Sequence, residues 1–196
     1  MFGKKIVKFE GNPEHLIVLH RRDRYAKNTL VEVPKGYEVA IFEPDGTTEV
    51  IKNVYEFKLK NDAKYIYYVR SNKVIFQSKW GTPSRINVLD QEGRANSLGS
   101  YGNIEFKLMN PVRFINNRLS AFQYLDEEGL IQLVLSKLPE FFQLAIKDVE
   151  PIDASDVTGL GLAIKNSLMQ NVAKRLDDMG IELVDVVVEN VNLQSV

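Results

Sequence analysis

The period of the hydrophobic pattern changes near residue 110, and this change most constrains the fold. Before it, short runs rich in valine, isoleucine, tyrosine and phenylalanine are broken by turn residues, which is typical of β-strands. After it, apolar residues recur at intervals of three and four, which is typical of amphipathic helices. The pattern therefore predicts an α+β fold: a strand-rich N-terminal region, then a lobe of amphipathic helices with a closing strand.

The first part of the chain is predicted to contain many short strands. They lie near residues 15–21, 29–33, 36–43, 46–52, 54–59, 64–70, 72–80, 84–89 and 99–109. A hairpin is expected at Pro44-Asp45-Gly46, because Asp-Gly accommodates the positive φ of tight turns. A second hairpin is expected at Ser71-Asn72, between the aromatic strand before it and a strand that ends at Trp80.

Two helical segments are predicted after residue 109. Asn110 and Pro111 are suited to the start of a short helix, since the missing N–H of proline costs nothing there. The acidic residues 126–128 then begin a longer amphipathic segment, which Pro139 should kink or split. Its apolar face comprises Ile131, Val134, Leu138, Phe142 and Ala145. We expect the broad apolar surface of residues 130–149 to support self-association.

A long helix and a strand are predicted to close the chain. Ser155 is the expected N-cap of a helix that runs to about residue 179, where Gly180 ends it. The β-branched stretch 181–191 follows as a buried strand. The polar, glycine-rich residues 90–103 are predicted to be a loop or hinge. They divide one domain into a strand-rich part, 1–90, and an α+β part, 91–196.

Composition excludes several kinds of partner and site. The formal net charge of −1 provides no global attraction to nucleic acid or to an acidic membrane. The absence of cysteine excludes disulfides, thiolate catalysis and cysteine-based metal sites. We expect neither a cofactor nor a small-molecule substrate. The acidic clusters 126–128 and 150–156 look like helix starts, so catalysis is not indicated.

No apolar run is predicted to cross a membrane. The run "LIVL" near the N-terminus is far shorter than a signal sequence or a membrane span. The most apolar later segment, 129–149, is interrupted by Lys137, Pro139, Glu140 and Lys147. We therefore expect contact with a membrane to be peripheral.

The two histidines, His15 and His20, do not form a metal pair by their spacing. Five residues apart in one predicted strand, they point to opposite faces. We expect them on the surface or at a strand edge.

A small basic group offers the candidate membrane or partner contact. Each basic residue close to an anionic surface contributes about 1 kcal/mol to binding. The alternative is that the run "HRRDR" is an ordinary solvated loop. The group consists of Lys4, Lys5, Arg21, Arg22 and Arg24.

The string "TGLGLAIKN", residues 158–166, resembles the glycine-rich box of histidine-kinase-type ATPases. The other strings that such a site requires do not occur in this chain. A dinucleotide site is also disfavoured, because the string follows no strand and lacks a third glycine. We expect Gly159 and Gly161 to let one helix approach another closely. The alternative is a monomeric ligand-binding or nucleotide-binding module built around these two glycines.

Several strings together resemble the SPFH (band 7) domain, shared by stomatin, prohibitin, flotillin and the HflK and HflC protease regulators. They are "NTLVEVPKGYEVAIFEPDG", "SKWGTPSRINVLD", "YGNIEFKLMNPVRFI" and "LGLAIKNSLMQNVAKRLDDMGIELVDVVVENV". The bacterial, virion-core-protein-like branch matches best, and "KWGTP" is the most specific string. The resemblance extends from about Leu16 to Val191.

The resemblance implies a non-enzymatic scaffold whose subunits form homo-oligomers and organise membrane proteins. It implies a cytoplasmic location, peripheral at the inner face of the membrane. The membrane-anchoring N-terminus and the long coiled coil of other members are missing from this sequence, so we expect an excised domain or a short member. The motif Trp80, Gly81, Thr82 and Pro83 is expected to be a structural corner in which Trp80 is buried and Gly81 is needed for the backbone conformation.

Overall fold

The computed structural model of the chain describes residues 6–20, 24–71, 74–117 and 122–196, and its mixture of sheets and helices confirms the α+β class. Hydrogen bonding defines strands β1 Ile6–Val7, β2 Ile17–His20, β3 Leu30–Glu32, β4 Tyr37–Phe42, β5 Thr48–Ile51, β6 Glu56–Lys58, β7 Tyr65–Arg70, β8 Phe76–Gly81, β9 Ile86–Leu89, β10 Ala95–Leu108, β11 Tyr124–Leu125 and β12 Ile181–Ser195. The helices are α1 Pro111–Asn116, α2 Glu127–Leu135, α3 Leu138–Val149 and α4 Val157–Asp178.

The chain divides into two compact units, each assembled from two segments. Unit 1 contains Met1–Lys73 and Pro111–Leu130, and unit 2 contains Val74–Asn110 and Ile131–Val196. The sequence predicts that the two parts of the domain meet at residue 90. This boundary stays a prediction.

Unit 1 is built from two small sheets. A five-stranded antiparallel sheet has the order β11-β2-β7-β4-β5, and a three-stranded sheet has the order β1-β3-β6. Alternate side chains of these strands meet in one apolar cluster, as the two-residue period requires. Its largest members include Tyr25, Tyr37, Ile66 and Tyr68.

The first predicted hairpin is confirmed. β4 and β5 pair antiparallel, with Phe42 opposite Thr48. Gly46 has a φ of 90°, and the Asp45 carboxylate accepts a hydrogen bond from the Thr47 N–H at 2.9 Å. The Asp-Gly pair therefore makes the turn that its conformational preferences predict.

The second predicted hairpin is wrong. β7 pairs with β2 and β4 in unit 1, whereas β8 pairs with β10 in unit 2. The four residues 66–69 of β7 are all buried, so both faces of this strand are covered. Local turn residues do not reveal that both neighbours come from elsewhere in the chain.

Unit 2 contains an antiparallel sheet of order β12-β10-β8, in which β9 also pairs with β10. The loop predicted at 90–103 is correct only for the turn before Ala95, where β10 begins. β10 is central, and its neighbours satisfy its backbone groups despite its polar, glycine-rich composition. Gly102 faces a bulge in β12, where a Cβ would lie 1.8 Å from the Val187 carbonyl oxygen.

The amphipathic segment splits before Pro139, as predicted. α2 ends at Leu135 and α3 begins at Leu138, with Pro139 in its first turn. Of the apolar residues that define its predicted face, Ile131 is half-buried, and the other four are buried inside the chain: Val134, Leu138, Phe142 and Ala145. The chain itself covers most of this face, and its part in self-association stays a prediction.

The same segment, Glu127–Val149, is long and apolar enough to span a membrane by length and composition alone. Its mean hydropathy is 1.2, and 39% of its most apolar window is buried. Buried core helices of soluble proteins satisfy the same criteria. The absence of a membrane span therefore stays a prediction.

The helix α4 begins one residue later than predicted. Asp156, not Ser155, is the N-cap, and its carboxylate accepts a hydrogen bond from the Gly159 N–H at 2.8 Å. Ser155 instead hydrogen-bonds to Asp153. Gly180, with a φ of 79°, follows the helix and leads into β12 as predicted.

Candidate functional site: a groove beside the edge strand

A groove in unit 2 lies between the first half of α4 and the second half of β12. Its volume is about 400 Å³. The helix provides Val157, Thr158, Gly161, Leu162 and Lys165, and the strand provides residues 187–191. The groove therefore runs beside a strand that forms one edge of the unit 2 sheet.

Helical spacing places the groove residues of α4 on one side. Val157, Gly161 and Lys165 recur every four residues, so their side chains align along the helix. A Cβ on Gly161 would lie 3.6 Å from Val191 and 3.9 Å from Val188. The predicted close approach of two helices is wrong at this position, since Gly161 faces a strand.

The groove exposes apolar side chains that the core does not use. Leu162 is 60% exposed, Val157 40% and Val187 39%. Clustered exposed apolar groups with a polar rim are typical of surfaces that contact another protein. The groove is therefore the strongest candidate for a binding surface in unit 2.

Charged groups flank this apolar surface. Lys165 Nζ lies 2.9 Å from Asp185 Oδ1, and the lysine lowers the pKa of this carboxyl below its usual range. Glu189 accepts a hydrogen bond from the Asn103 side-chain amide. Among the described residues, Glu189 has no basic partner.

The N-terminus of α4 is not open to a phosphate group. A Cβ on Gly159 would lie 2.0 Å from Asp156 Oδ2, so the capping carboxylate occupies the space beside this glycine. Its negative charge sits where an anionic ligand would have to bind. Within the described part of the chain, no cluster of His, Asp and Glu could hold a metal ion.

The corner at Trp80 is confirmed as a buried position. Trp80 is 8% exposed, and its ring centroid lies 5.5 Å from that of Phe142. Its Nε1–H donates to the Asn103 carbonyl oxygen at 3.1 Å. The hydrogen bonding between β8 and β10 ends at Thr82. Its N–H donates to the Ser100 carbonyl oxygen, and its hydroxyl accepts from the Ser100 N–H.

Gly81 does not have the predicted conformational role. Its φ is not in the left-handed region, and an added Cβ would make an ordinary contact of 3.5 Å with Tyr101. At Gly102, in the neighbouring strand, a Cβ would lie 1.8 Å from the Val187 carbonyl oxygen, so a side chain cannot be accommodated there.

Four of the five residues in the predicted basic group lie outside the described residues: Lys4, Lys5, Arg21 and Arg22. Arg24 is described, and its side chain is 70% exposed and pairs with Asp62. A hydrogen bond from the Lys27 N–H, together with Arg24, lowers the pKa of Asp62. The membrane role of this group stays a prediction.

The two histidines do not both have the surface or strand-edge position that the sequence predicts. His15 lies just before β2, and its ring stacks on Tyr124 with centroids 4.4 Å apart. His20 is only 5% exposed, and its Nδ1 lies 2.8 Å from the Tyr25 hydroxyl oxygen. The surface position predicted for His20 is therefore wrong, because tertiary packing covers it.

Comparison with protein families identifies the chain. Residues 51–196, about three quarters of the sequence, match the profile described as the SPFH domain-Band 7 family. The chain belongs to this family. SPFH/band 7 proteins are generally non-enzymatic, and they typically oligomerise and associate with membranes. A search of curated proteins found no match.

The SPFH match includes the whole groove, but sequence reasoning did not find the residues that matter there. The sequence patterns that contain Leu162, Val187 and Glu189 predict only a helix or a buried strand. A usable signal was present in β12, where the acidic Asp185 and Glu189 flank the apolar run 186–188. Such charged residues are typical of an edge strand.

Proposed function

We propose that this SPFH domain is a non-enzymatic scaffold that self-associates and organises membrane-associated protein complexes. The observation that carries the proposal is the family match over residues 51–196. The exposed apolar groove beside β12 supports it, because the groove is a surface that a partner chain could cover.

The proposed location is the cytoplasm, peripheral at the inner face of a membrane. A net charge of −1 favours contact through partner proteins over direct binding to lipid. The proposed partners are copies of the same chain and membrane proteins, with neither nucleic acid nor a small-molecule substrate among them.

Light scattering over a range of concentrations tests self-association. We expect the average mass to rise above that of the monomer, 22.4 kDa, as the concentration increases through the micromolar range. Both the 196-residue chain and any longer natural form that contains it should be measured. A monomer at every concentration in both forms would contradict the scaffold proposal.

A pull-down from native membranes tests the second half of the proposal. We expect membrane proteins to be recovered with the wild-type domain and to be reduced when Leu162 and Val187 in the groove are changed to serine. Tyr55→Ser, at an exposed aromatic residue in unit 1, provides the matched control. Equal recovery with all variants would remove the groove from the proposal.

Calorimetry with ATP and magnesium separates the scaffold from a nucleotide-binding module. We expect no binding heat at micromolar protein, because the Asp156 carboxylate occupies the space at Gly159. Clear micromolar binding that Gly159→Ala abolishes would favour the nucleotide-binding module.

A further inference from the structure

The sheet of unit 2 has two edges that no described strand covers. β12 forms one edge and β8 the other, with β10 between them. At β12, the Val186 N–H donates to the side chain of the preceding residue, Asp185. Uncovered edges present backbone groups that can pair with another chain.

A row of side chains crosses this sheet and carries opposite charges at its two ends. Asn103 in β10 is opposite Lys79 in β8 and opposite Val187 in β12. Glu189, next to that position, accepts a hydrogen bond from Asn103. Among the described residues, Lys79 has no acidic partner and Glu189 has no basic one. Within one molecule a whole strand separates the two charges.

We propose that the sheet of unit 2 continues from one copy of the chain into the next, with β12 of one copy beside β8 of its neighbour. This inference rests on the proposed self-association and names the surface that produces it. β8 and β12 both run antiparallel to β10, so the two edges would pair in parallel. Continuing the row places Glu189 beside Lys79 of the next copy.

The charges favour pairing of β12 with β8 over pairing of two β12 edges or of two β8 edges. Two β12 edges would place acidic side chains, Asp185 and Glu189, on both sides of the contact, and two β8 edges would place Lys79 on both sides. Like charges on adjacent strands are destabilising, and opposite charges are stabilising. Only the pairing of unlike edges therefore satisfies both ends of the row. Head-to-tail contacts also generate rings or filaments, as a scaffold requires.

The bulges in β12 limit the pairing to a short stretch. The register shifts by one residue at Val184 and again at Glu189, which leaves residues 185–188 as a regular segment between them. β8 has six residues, enough to match that segment. The neighbouring strand would lie along the β12 edge of the groove.

Charge reversal at each edge tests the pairing, with light scattering as the measurement. Lys79→Glu and Glu189→Lys should each weaken self-association roughly 5-fold to 10-fold, because each places like charges across the interface. An equal mixture of the two variants should associate like the wild type, since every contact between them is again between opposite charges. The double variant should do the same.

The controls are charge reversals away from the edges, Lys174→Glu on α4 and Glu128→Lys on α2, which should leave association unchanged. Recovery in the mixture also excludes misfolding of the single variants, because misfolded chains could not rescue each other. If the wild type associates but neither single reversal weakens it, the pairing is overturned and the scaffold proposal stands. Weakening by Glu189→Lys alone, or failure of the mixture to recover, would also overturn it. If the wild type is monomeric at every concentration, both the edge pairing and the proposed self-association are contradicted.

Discussion

Trp80 shows how a residue that looks suited to ligand binding is committed to packing. Its ring lies against Phe142 of α3, and its only polar atom donates to Asn103 O. Both apolar and polar groups of the side chain are therefore satisfied within unit 2. A ligand would have to displace a helix to reach the ring.

We expect Trp80→Ala to lower the free energy of unfolding by about 3–5 kcal/mol, the usual cost of truncating a buried aromatic side chain. Urea unfolding followed by circular dichroism measures the change. Tyr101→Ala is the control, because Tyr101 is an aromatic residue of the adjacent strand that is 52% exposed. Wild-type emission resembling that of tryptophan in water, with an unchanged unfolding midpoint, would contradict the burial of Trp80.

Asp90 holds the turn between β9 and β10, and its charge makes stability depend on pH. Burial raises the pKa of Asp90, but hydrogen bonds from Arg94, the Glu92 N–H and Asn96 outweigh this effect, so its pKa lies below the usual range. A carboxyl whose pKa is lower in the folded state stabilises the fold above its unfolded-state pKa. This stabilisation is lost as the pH falls through the folded-state value.

We therefore expect Asp90→Asn to have a lower Tm than the wild type at neutral pH. The difference should begin to shrink as the pH falls below about 4, the usual pKa of an aspartate in an unfolded chain, and should disappear once the pH has fallen through the lower pKa of the folded state. Melting curves measured from neutral to strongly acidic pH follow both proteins. Two curves that stay parallel over the whole range would show that the charge of Asp90 does not contribute.

At the scale of the elements, one hydrogen bond decides where α4 begins. Ser155 and Asp156 are both good N-cap residues, and the sequence does not distinguish them. In the structure the Asp156 carboxylate reaches the Gly159 N–H, and Gly159 leaves room for it because it has no side chain.

Asp156→Ala should lower the free energy of unfolding by about 1 kcal/mol, the usual cost of removing an N-cap. Ser155→Ala is the matched control and should cost less, because Ser155 bonds only to Asp153. Chemical unfolding of the two variants side by side decides between the caps. A larger loss for Ser155→Ala would restore the original prediction.

At the same scale, the sequence did not reveal which strands pair with each other. Most strands lie where composition predicts them, including β4, β5 and β9. Their partners are not the adjacent strands in every case: β7 and β8 follow each other but belong to different sheets. Composition reports whether a segment suits a pleated, half-buried surface, and it does not report which strand lies beside it.

At the scale of the whole molecule, the small net charge predicts weak contact with lipid. The formal charge is −1, and Arg24 of the candidate basic group is paired with Asp62. Exposed charges are screened within about 8 Å at physiological ionic strength. Little of the long-range attraction to an anionic bilayer should remain.

We expect little binding to anionic vesicles in a flotation assay at physiological salt, and more at low salt. Replacing Lys4, Lys5, Arg21, Arg22 and Arg24 with glutamine should abolish the low-salt binding. A variant with five glutamines at other lysines of the chain controls for net charge. Strong flotation that resists salt would show an apolar insertion surface, for which the segment Glu127–Val149 is the first candidate.

The sequence alone determined the fold class, the first hairpin, the break before Pro139 and the family. These features depend on local preferences, such as the φ of Asp-Gly or the missing N–H of proline, or on residue order along the chain. A reader of the sequence can evaluate them without knowing what lies nearby in space.

Tertiary structure alone decided which apolar surfaces remain exposed. The strongest amphipathic face, in residues 130–149, is largely covered by the chain itself, whereas Leu162 and Val187 remain exposed. It also decided that the polar residues 95–103 form a central strand and that Lys79 and Glu189 lie at opposite edges of one sheet. The physical reason is that burial and pairing depend on neighbours distant in the chain, so the same residue is core or surface according to what packs against it.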